Sequence, residues 1–177
     1  VWHKATTAQH APFVMPEDDH EQMFVLPVST SATADFAAVT ALASTVYREF
    51  DADFADWLIK CSCAAYDWLE RNPQFIGFTN PEGCGTGVYG EHIDTDNRFW
   101  AAAELFSALN DEKYYNRAIT LMGESFPKTA MGFASVGGFG SLALLTNGHV
   151  GGPVLNMLHK EFVNRAESLA ENCRRSG

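Results

Sequence analysis

Three stretches of this 177-residue chain are small or apolar around most of the circumference of the helices they would form: Ala37–Ala43, Ala101–Leu109 and Leu142–Leu145. A helix with a single apolar stripe packs against one layer, whereas a helix that is apolar on most faces must be buried on two or more sides. One layer of three helical hairpins cannot supply that much burial by itself. The chain is therefore constrained to a layered, helical arrangement around these three helices.

The apolar residues recur at three- and four-residue spacing, and Pro, Gly, Asn and Asp interrupt the pattern, which predicts six helices. Strand signals are almost absent, although 24–28 is a short apolar segment compatible with extended chain. Short connections join the helices in pairs, so we expect an all-α fold of three antiparallel hairpins in a single domain, 1–177. The predicted helices span 34–50, 51–69 with a start at Asp51 or Asp53, 98–109, 112–122, 141–146 with a start a few residues earlier, and 154–173.

The first two predicted helices carry apolar stripes that we interpret as their buried faces. Asp35 falls in the first turn of the first helix, where a negative charge favours the helix dipole. In the second helix, Trp57 and Trp68 fit the buried stripe. The stripe of the first helix consists of Phe36, Val39, Leu42, Ala43 and Val46.

The charge balance excludes some classes of partner. The chain has 12 basic and 22 acidic residues and a net charge of −10. A nucleic acid or an anionic membrane would require a basic face, so we expect neither as a partner. The balance is compatible with a neutral ligand such as a carbohydrate. No apolar run approaches the roughly 18 residues that cross a bilayer.

The segment Thr86–Trp100 gathers glycines, carboxylates and a histidine directly before one of the apolar helices. A loop of this kind at a helix N-terminus binds a cation, positions a sugar or caps the helix, and the residues alone leave these alternatives open. Asp94 or Asp96 is predicted to cap the helix that follows.

Five segments together resemble glycoside hydrolase family nine, the cellulases built on an (α/α)6 barrel. They occur in the family's order, and the ordered set is far more specific than any one of them. The matching segments are Val14–Asp19, Pro27–Val39, Thr86–Gly90, Arg98–Leu105 and Gly137–Leu145.

The resemblance covers the middle of a family domain, about three of its six hairpins, so it implies half of an (α/α)6 barrel. It implies hydrolysis of β-1,4-glucosidic bonds with inversion, which the family performs with an Asp base from an Asp-Ala-Gly-Asp segment and a Glu acid near the domain's end. This sequence contains no Asp-x-Gly-Asp. Either the chain is a piece of a larger enzyme, or it is a half-barrel that hydrolyses glucan with other residues. The alternative is a non-catalytic glycan-binding or assembly module.

The catalytic candidates are Asp18, Asp19 and Glu91. Asp18 and Asp19 lie in a segment that matches the family, where one of them would serve as a base or bind sugar hydroxyls; a solvated acidic turn is the alternative. Glu91 would act as one half of an acid/base pair with His92. The candidates for substrate binding are Tyr89, His92 and Trp100.

The same resemblance suggests a structural calcium ion, because some family members hold one with a threonine and carboxylates of the corresponding loop. Thr86 and Glu91 fall at matching positions, and Asp94 would add a third ligand. Val88 and His92 stand where stronger sites carry acidic residues. Calcium requires six to eight oxygen ligands, so backbone carbonyls would have to complete this site.

Two further expectations concern the environment of the chain. Half a barrel leaves an apolar flank exposed, so we expect a homo-oligomer, such as a dimer in which two copies close a ring of six hairpins. The family resemblance implies a secreted or extracellular protein acting on a β-glucan substrate.

Overall fold

The computed structural model describes residues 1–176. It contains six helices and, in the N-terminal segment, one short antiparallel strand pair and a 3-10 turn at Pro16–Asp18. The strand pair joins β1, Ala5–Thr6, to β2, Phe24–Val25. The helices are α1 (Thr30–Tyr47), α2 (Ala52–Arg71), α3 (Thr95–Leu109), α4 (Glu112–Met122), α5 (Gly137–Thr146) and α6 (Gly152–Ser176).

The helices form three hairpins, as predicted, and their arrangement is half of an (α/α)6 barrel. The three predominantly small or apolar helices, α1, α3 and α5, lie side by side as an inner layer, and α2, α4 and α6 form the outer layer. The central helix α3 packs against α1, α2, α4 and α5, and every residue from Asp96 to Phe106 is buried. Burial on several sides, which the composition of these helices demands, is therefore achieved for α3.

Polar side chains begin three of the helices. Ser29 Oγ accepts a hydrogen bond from the Ala32 amide at 3.2 Å before α1. Asp51 accepts from the Phe54 amide at 2.9 Å before α2, and Asp111 accepts from the Lys113 amide at 2.9 Å before α4. These bonds satisfy amides that the first turn of a helix leaves free.

The inner helices approach each other closely because glycine lies at a contact between them. A Cβ on Gly140 of α5 would lie 2.8 Å from the Phe99 ring and 2.8 Å from the Cα of Trp100, both in α3. Any side chain at this position would push α5 away from α3. Gly140 therefore serves packing within the inner layer, whereas Gly137 and Gly138 lie against the loop before α5.

The buried face of α1 differs from the predicted stripe. Its core residues are small, such as Ala34, Ala37, Ala38 and Ala41, and they allow close packing against α2 and α3. Phe36 packs against the core as predicted, but three other residues of the predicted stripe are exposed: Val39 by 50%, Leu42 by 44% and Val46 by 55%. These three side chains lie on the side of α1 that the three hairpins leave open.

Several predicted boundaries and positions also differ from the structure. α1 begins at Thr30 and not at residue 34, so Asp35 lies in its second turn rather than its first. α5 begins at Gly137, a few residues before Ser141 as expected, whereas α6 begins at Gly152, two residues earlier than predicted. On α2, Trp68 packs against the core as expected, but Trp57 is 56% exposed. Within residues 1–176, no helix is both long and apolar enough to cross a membrane.

Candidate active site

The N-terminus of α3 is the point at which the inner layer, the long loop after α2 and the N-terminal segment meet. Asp96, in the first turn of α3, accepts a hydrogen bond from the Val136 amide at 2.9 Å, and this bond ties α3 to the start of α5. Asn97, one residue further, donates from Nδ2 to Asp35 Oδ1 of α1 at 3.0 Å. One turn of α3 thus fixes the relative positions of all three inner helices.

Asp94 precedes α3, but its side chain makes no capping hydrogen bond. Its carboxylate instead accepts from Arg98 Nε at 2.9 Å, and both side chains are buried. The same guanidinium donates to the carbonyls of Leu69 and Asn72, each at 2.9 Å, and so satisfies the C-terminal end of α2. The predicted capping role of Asp94 is therefore replaced by an ion pair that holds α2 against α3.

Asp35 and Glu91 line one cavity of about 210 Å³, together with Tyr89, His3 and Phe133 among others. Burial raises the pKa of Asp35 to about 6, although the hydrogen bond from Asn97 opposes the shift. Burial also raises the pKa of Glu91 to about 7, and the negative charges of Asp35 and Asp96 raise it further. This cavity therefore contains two carboxyl groups that exchange protons close to neutral pH.

Asn97 is hydrogen-bonded to one of these two carboxyl groups, that of Asp35. Its side chain is fully buried, and its Oδ1 has no hydrogen-bond partner, although its Nδ2 is used by Asp35. Its amide group also lowers the pKa of Glu91, against the effect of burial.

Tyr89 occupies an unusual backbone conformation at the edge of the cavity. Its φ is +52°, in the left-handed region that L-residues other than Asn and Asp rarely adopt. The ring is 58% exposed and meets the ring of Phe133 edge to face at 5.8 Å. An exposed aromatic ring held beside two carboxyl groups has the composition of a sugar-binding surface.

A larger cavity of about 560 Å³ follows the open side of the inner layer and is lined by residues of α1, α3 and α5, including Leu42, Trp100, Glu104 and Phe139. Trp100 Nε1 donates to Glu104 Oε1 at 3.0 Å, and the indole packs on Phe139 at 5.1 Å between ring centroids. Burial raises the pKa of Glu104. Trp100 is only 9% exposed, so it is mainly a packing residue with one edge on the cavity.

The remaining candidates lie outside the first cavity. Asp18 and Asp19 are exposed at the 3-10 turn of the N-terminal segment, where Asp19 accepts from the Glu21 amide at 3.2 Å. His92 is exposed and does not line the cavity that Glu91 enters. The structure thus brings Tyr89 and Glu91 together and leaves Asp18, Asp19 and His92 apart from them.

The three residues expected to bind calcium each have a different partner or neighbour in the structure. Thr86 Oγ1 accepts from Lys4 Nζ at 3.1 Å, Asp94 is paired with Arg98, and Glu91 lies with Asp35. In residues 1–176, no group of three or more His, Cys, Asp or Glu side chains is arranged to hold a metal ion. This geometry does not fit calcium bound by Thr86, Glu91 and Asp94, and calcium binding stays a prediction.

Sequence reasoning missed the contact between Asp35, which lines the first cavity, and Asn97, which donates a hydrogen bond to it. The sequence places Asp35 in the first turn of its helix, because that helix is predicted to begin four residues too late. Asn97 carries no signal of its own, since an Asn near a helix start is ordinary. Asp35 lies in the matched segment Pro27–Val39, and Asn97 directly precedes the matched segment Arg98–Leu105.

The sequence and the fold of this chain are similar to those of known proteins. The model of glycosyl hydrolase family 9 matches residues 3–173. A cellodextrinase of Butyrivibrio fibrisolvens is 45% identical over the whole chain, and endoglucanase D of Acetivibrio thermocellus is 41% identical over 64% of it. The chain spans 35% and 18% of the lengths of these relatives. A thermostable endoglucanase of Alicyclobacillus acidocaldarius superposes with a TM-score of 0.90 at 30% identity, covering 97% of this chain and 32% of that one.

Proposed function

The chain belongs to glycosyl hydrolase family 9, and we propose that it acts in the hydrolysis of β-1,4-glucosidic bonds in cellulose or related β-glucans, as an endoglucanase does. The observation that carries this proposal is the 45% identity to a cellodextrinase over the whole chain. The cavity at the start of α3, with its two carboxyl groups and exposed tyrosine, supplies the polar and aromatic groups that a glucan chain requires.

Inversion at an anomeric carbon uses one carboxylic acid and one carboxylate, about 6.5–9.5 Å apart. The sequence has no Asp-x-Gly-Asp from which to take the family's base. Within the chain, Glu91 is the stronger candidate for the proton donor, because its raised pKa keeps a proton on it near neutral pH. Asp18 and Asp19, on an exposed turn, are the candidates for the base, and their catalytic role is likewise a proposal.

Asp35 and Glu91 suit contact with sugar hydroxyls in either protonation state. An ionised carboxylate accepts hydrogen bonds from two hydroxyls, and a protonated one donates to a ring or hydroxyl oxygen. Tyr89 offers an exposed ring face for the apolar side of a glucosyl unit. We propose that this cavity binds one glucosyl unit, and that Trp100 and His92, which lie outside it, contact other parts of the glucan chain.

We also propose self-association. Val39, Leu42 and Val46 expose an apolar surface on α1 on the open side of the half-barrel. A second copy related by a twofold axis would cover this flank and complete six hairpins. If the flank is covered instead by further hairpins of the same polypeptide, sedimentation will give a monomer. We further propose that the protein is secreted, which would give it access to an insoluble polymer. We also propose that 1–177 form a single domain.

The test is product analysis on cello-oligosaccharides for the wild type and for Asp18→Asn, Asp19→Asn and Glu91→Gln. Release of shorter cellodextrins by the wild type supports the proposal. Binding of cello-oligosaccharides without turnover supports the alternative, a non-catalytic glycan-binding module.

A further inference from the structure

The ammonium of Lys4 is held in a site built by the loop before α3. Its Nζ donates to Thr86 Oγ1 at 3.1 Å and to the carbonyl oxygen of Gly87. It also lies 5.8 Å from the ring centroid of Phe78 and 5.7 Å from that of Tyr89. Two oxygens and two aromatic rings form a set that binds a cation, because an ammonium has three donors and is attracted to the faces of aromatic rings.

Contacts on both sides of Lys4 hold its segment of the chain in place. The preceding residue, His3, stacks on Phe78 at 4.0 Å with an interplanar angle of 12°. On the other side, Thr6 Oγ1 lies 2.8 Å from Thr86 Oγ1, within hydrogen-bond distance. The Lys4 carbonyl accepts from the Leu26 amide at 2.9 Å beside the strand pair. The lysine backbone is therefore fixed against both the loop and β2, unlike that of a mobile surface lysine.

We propose that the Lys4 ammonium is the resident cation of the Thr86–Gly90 loop, so that this loop is ordered by a side chain of the chain itself and not by calcium. The residues expected to bind calcium have other partners in the structure, and the role of Lys4 does not depend on the proposed glucan hydrolysis.

Calcium and the ammonium exclude each other at this position. Calcium requires six to eight oxygens at about 2.3–2.6 Å. Thr86 Oγ1 and the Gly87 carbonyl already accept from Lys4, and a fixed positive charge beside them repels a divalent cation. Asp94, the expected third ligand, is occupied by Arg98 at 2.9 Å. The oxygens of Thr86 and Gly87 are therefore taken by the ammonium, and the carboxylate of Asp94 is taken by Arg98.

The test compares wild type, Lys4→Met and Lys128→Met by melting temperature and by hydrogen exchange, each with EDTA and with excess CaCl₂. Lys128 is a matched control, because its Nζ also donates to two carbonyls, of Glu124 at 2.8 Å and Phe126 at 3.2 Å, and lies 3.9 Å from the Phe126 ring. We expect the wild type to melt at the same temperature in both media. We expect Lys4→Met to melt lower and to exchange faster at amides 83–91, which Lys128→Met leaves unchanged.

Two results would overturn the proposal. One is stoichiometric calcium binding by the wild type in calorimetry, with a matching rise in melting temperature. The other is unchanged exchange of amides 83–91 in Lys4→Met. If Lys4→Met does not fold, Lys4→Arg takes its place, since it keeps the cation. Retained protection of these amides in Lys4→Arg, together with no calcium binding by the wild type, supports the proposal. Calcium binding by the wild type overturns it.

Discussion

Asn97 Nδ2 of α3 donates to Asp35 Oδ1 of α1 at 3.0 Å, and this bond connects the two inner helices at the edge of the candidate active site. Asn97 is fully buried, so Asn97→Ala leaves the Asp35 carboxyl without its donor in a largely desolvated position. We expect a loss of about 1–3 kcal/mol in the free energy of unfolding, measured by urea denaturation. Asn116→Ala, at an exposed position on α4, should change it little, and equal losses in both variants would contradict the account.

The raised pKa values of Asp35 and Glu91 predict a specific pH dependence of stability. They are about 6 and about 7 in the folded protein, against 3.8 and 4.5 as ordinary values. The folded state then binds more protons than the unfolded state between about pH 4 and pH 7, so the free energy of unfolding falls as pH rises through this range. Asp35→Asn and Glu91→Gln should each flatten this slope, whereas Glu49→Gln, at an exposed position, should not. An identical slope in all four proteins, measured by urea denaturation at several pH values, would refute the assignment.

Arg98 carries a buried charge that joins the residue before α3 to the C-terminal end of α2. Arg98→Met removes the ion pair with Asp94 and leaves the carbonyls of Leu69 and Asn72 without their donor. Breaking a buried pair from one side costs about 3–5 kcal/mol. Arg48→Met breaks the exposed pair with Asp56 and should cost at most about 1 kcal/mol. Chemical denaturation of the two variants should rank them in this order, and the reverse ranking would contradict the structure.

Tyr89 is predicted to bind glucan with little role in stability beyond its loop, because its ring is 58% exposed. Tyr89→Ala should weaken binding of a cello-oligosaccharide by about 0.5–1.5 kcal/mol, or roughly two- to tenfold in the dissociation constant. Trp57→Ala is the control, since Trp57 is equally exposed but lies on α2 and does not line the cavity. If calorimetric titration finds a larger loss of affinity in Trp57→Ala than in Tyr89→Ala, the binding surface lies on α2 instead.

The hairpins could be predicted from the sequence because helix periodicity and capping residues are local signals. Asp51 and Asp111 lie at helix starts, where their side chains accept hydrogen bonds from backbone amides. The face of α1 could not be predicted in the same way. Periodicity selects the larger apolar residues Val39, Leu42 and Val46, whereas close packing between inner helices selects alanines.

Only part of the candidate site could be predicted from the sequence. The segment that contains Tyr89 and Glu91 could be recognised from its composition and from the family resemblance. The pairing of Glu91 with Asp35 depends on how the loop after α2 folds back over the start of α1, and no short-range pattern encodes that contact. The Lys4 contact with Thr86 likewise arises from the path of the N-terminal segment, which appeared irregular in the sequence.

The proposed hydrolysis is tested most directly by following cellohexaose with the purified protein and recording the anomeric configuration of the first products by NMR. We predict shorter cellodextrins released with inversion, and a decrease in kcat of about 100-fold or more in Glu91→Gln if this residue donates the proton. No product above the blank from correctly folded wild-type protein, on cellohexaose and on carboxymethyl-cellulose alike, would contradict the proposed function.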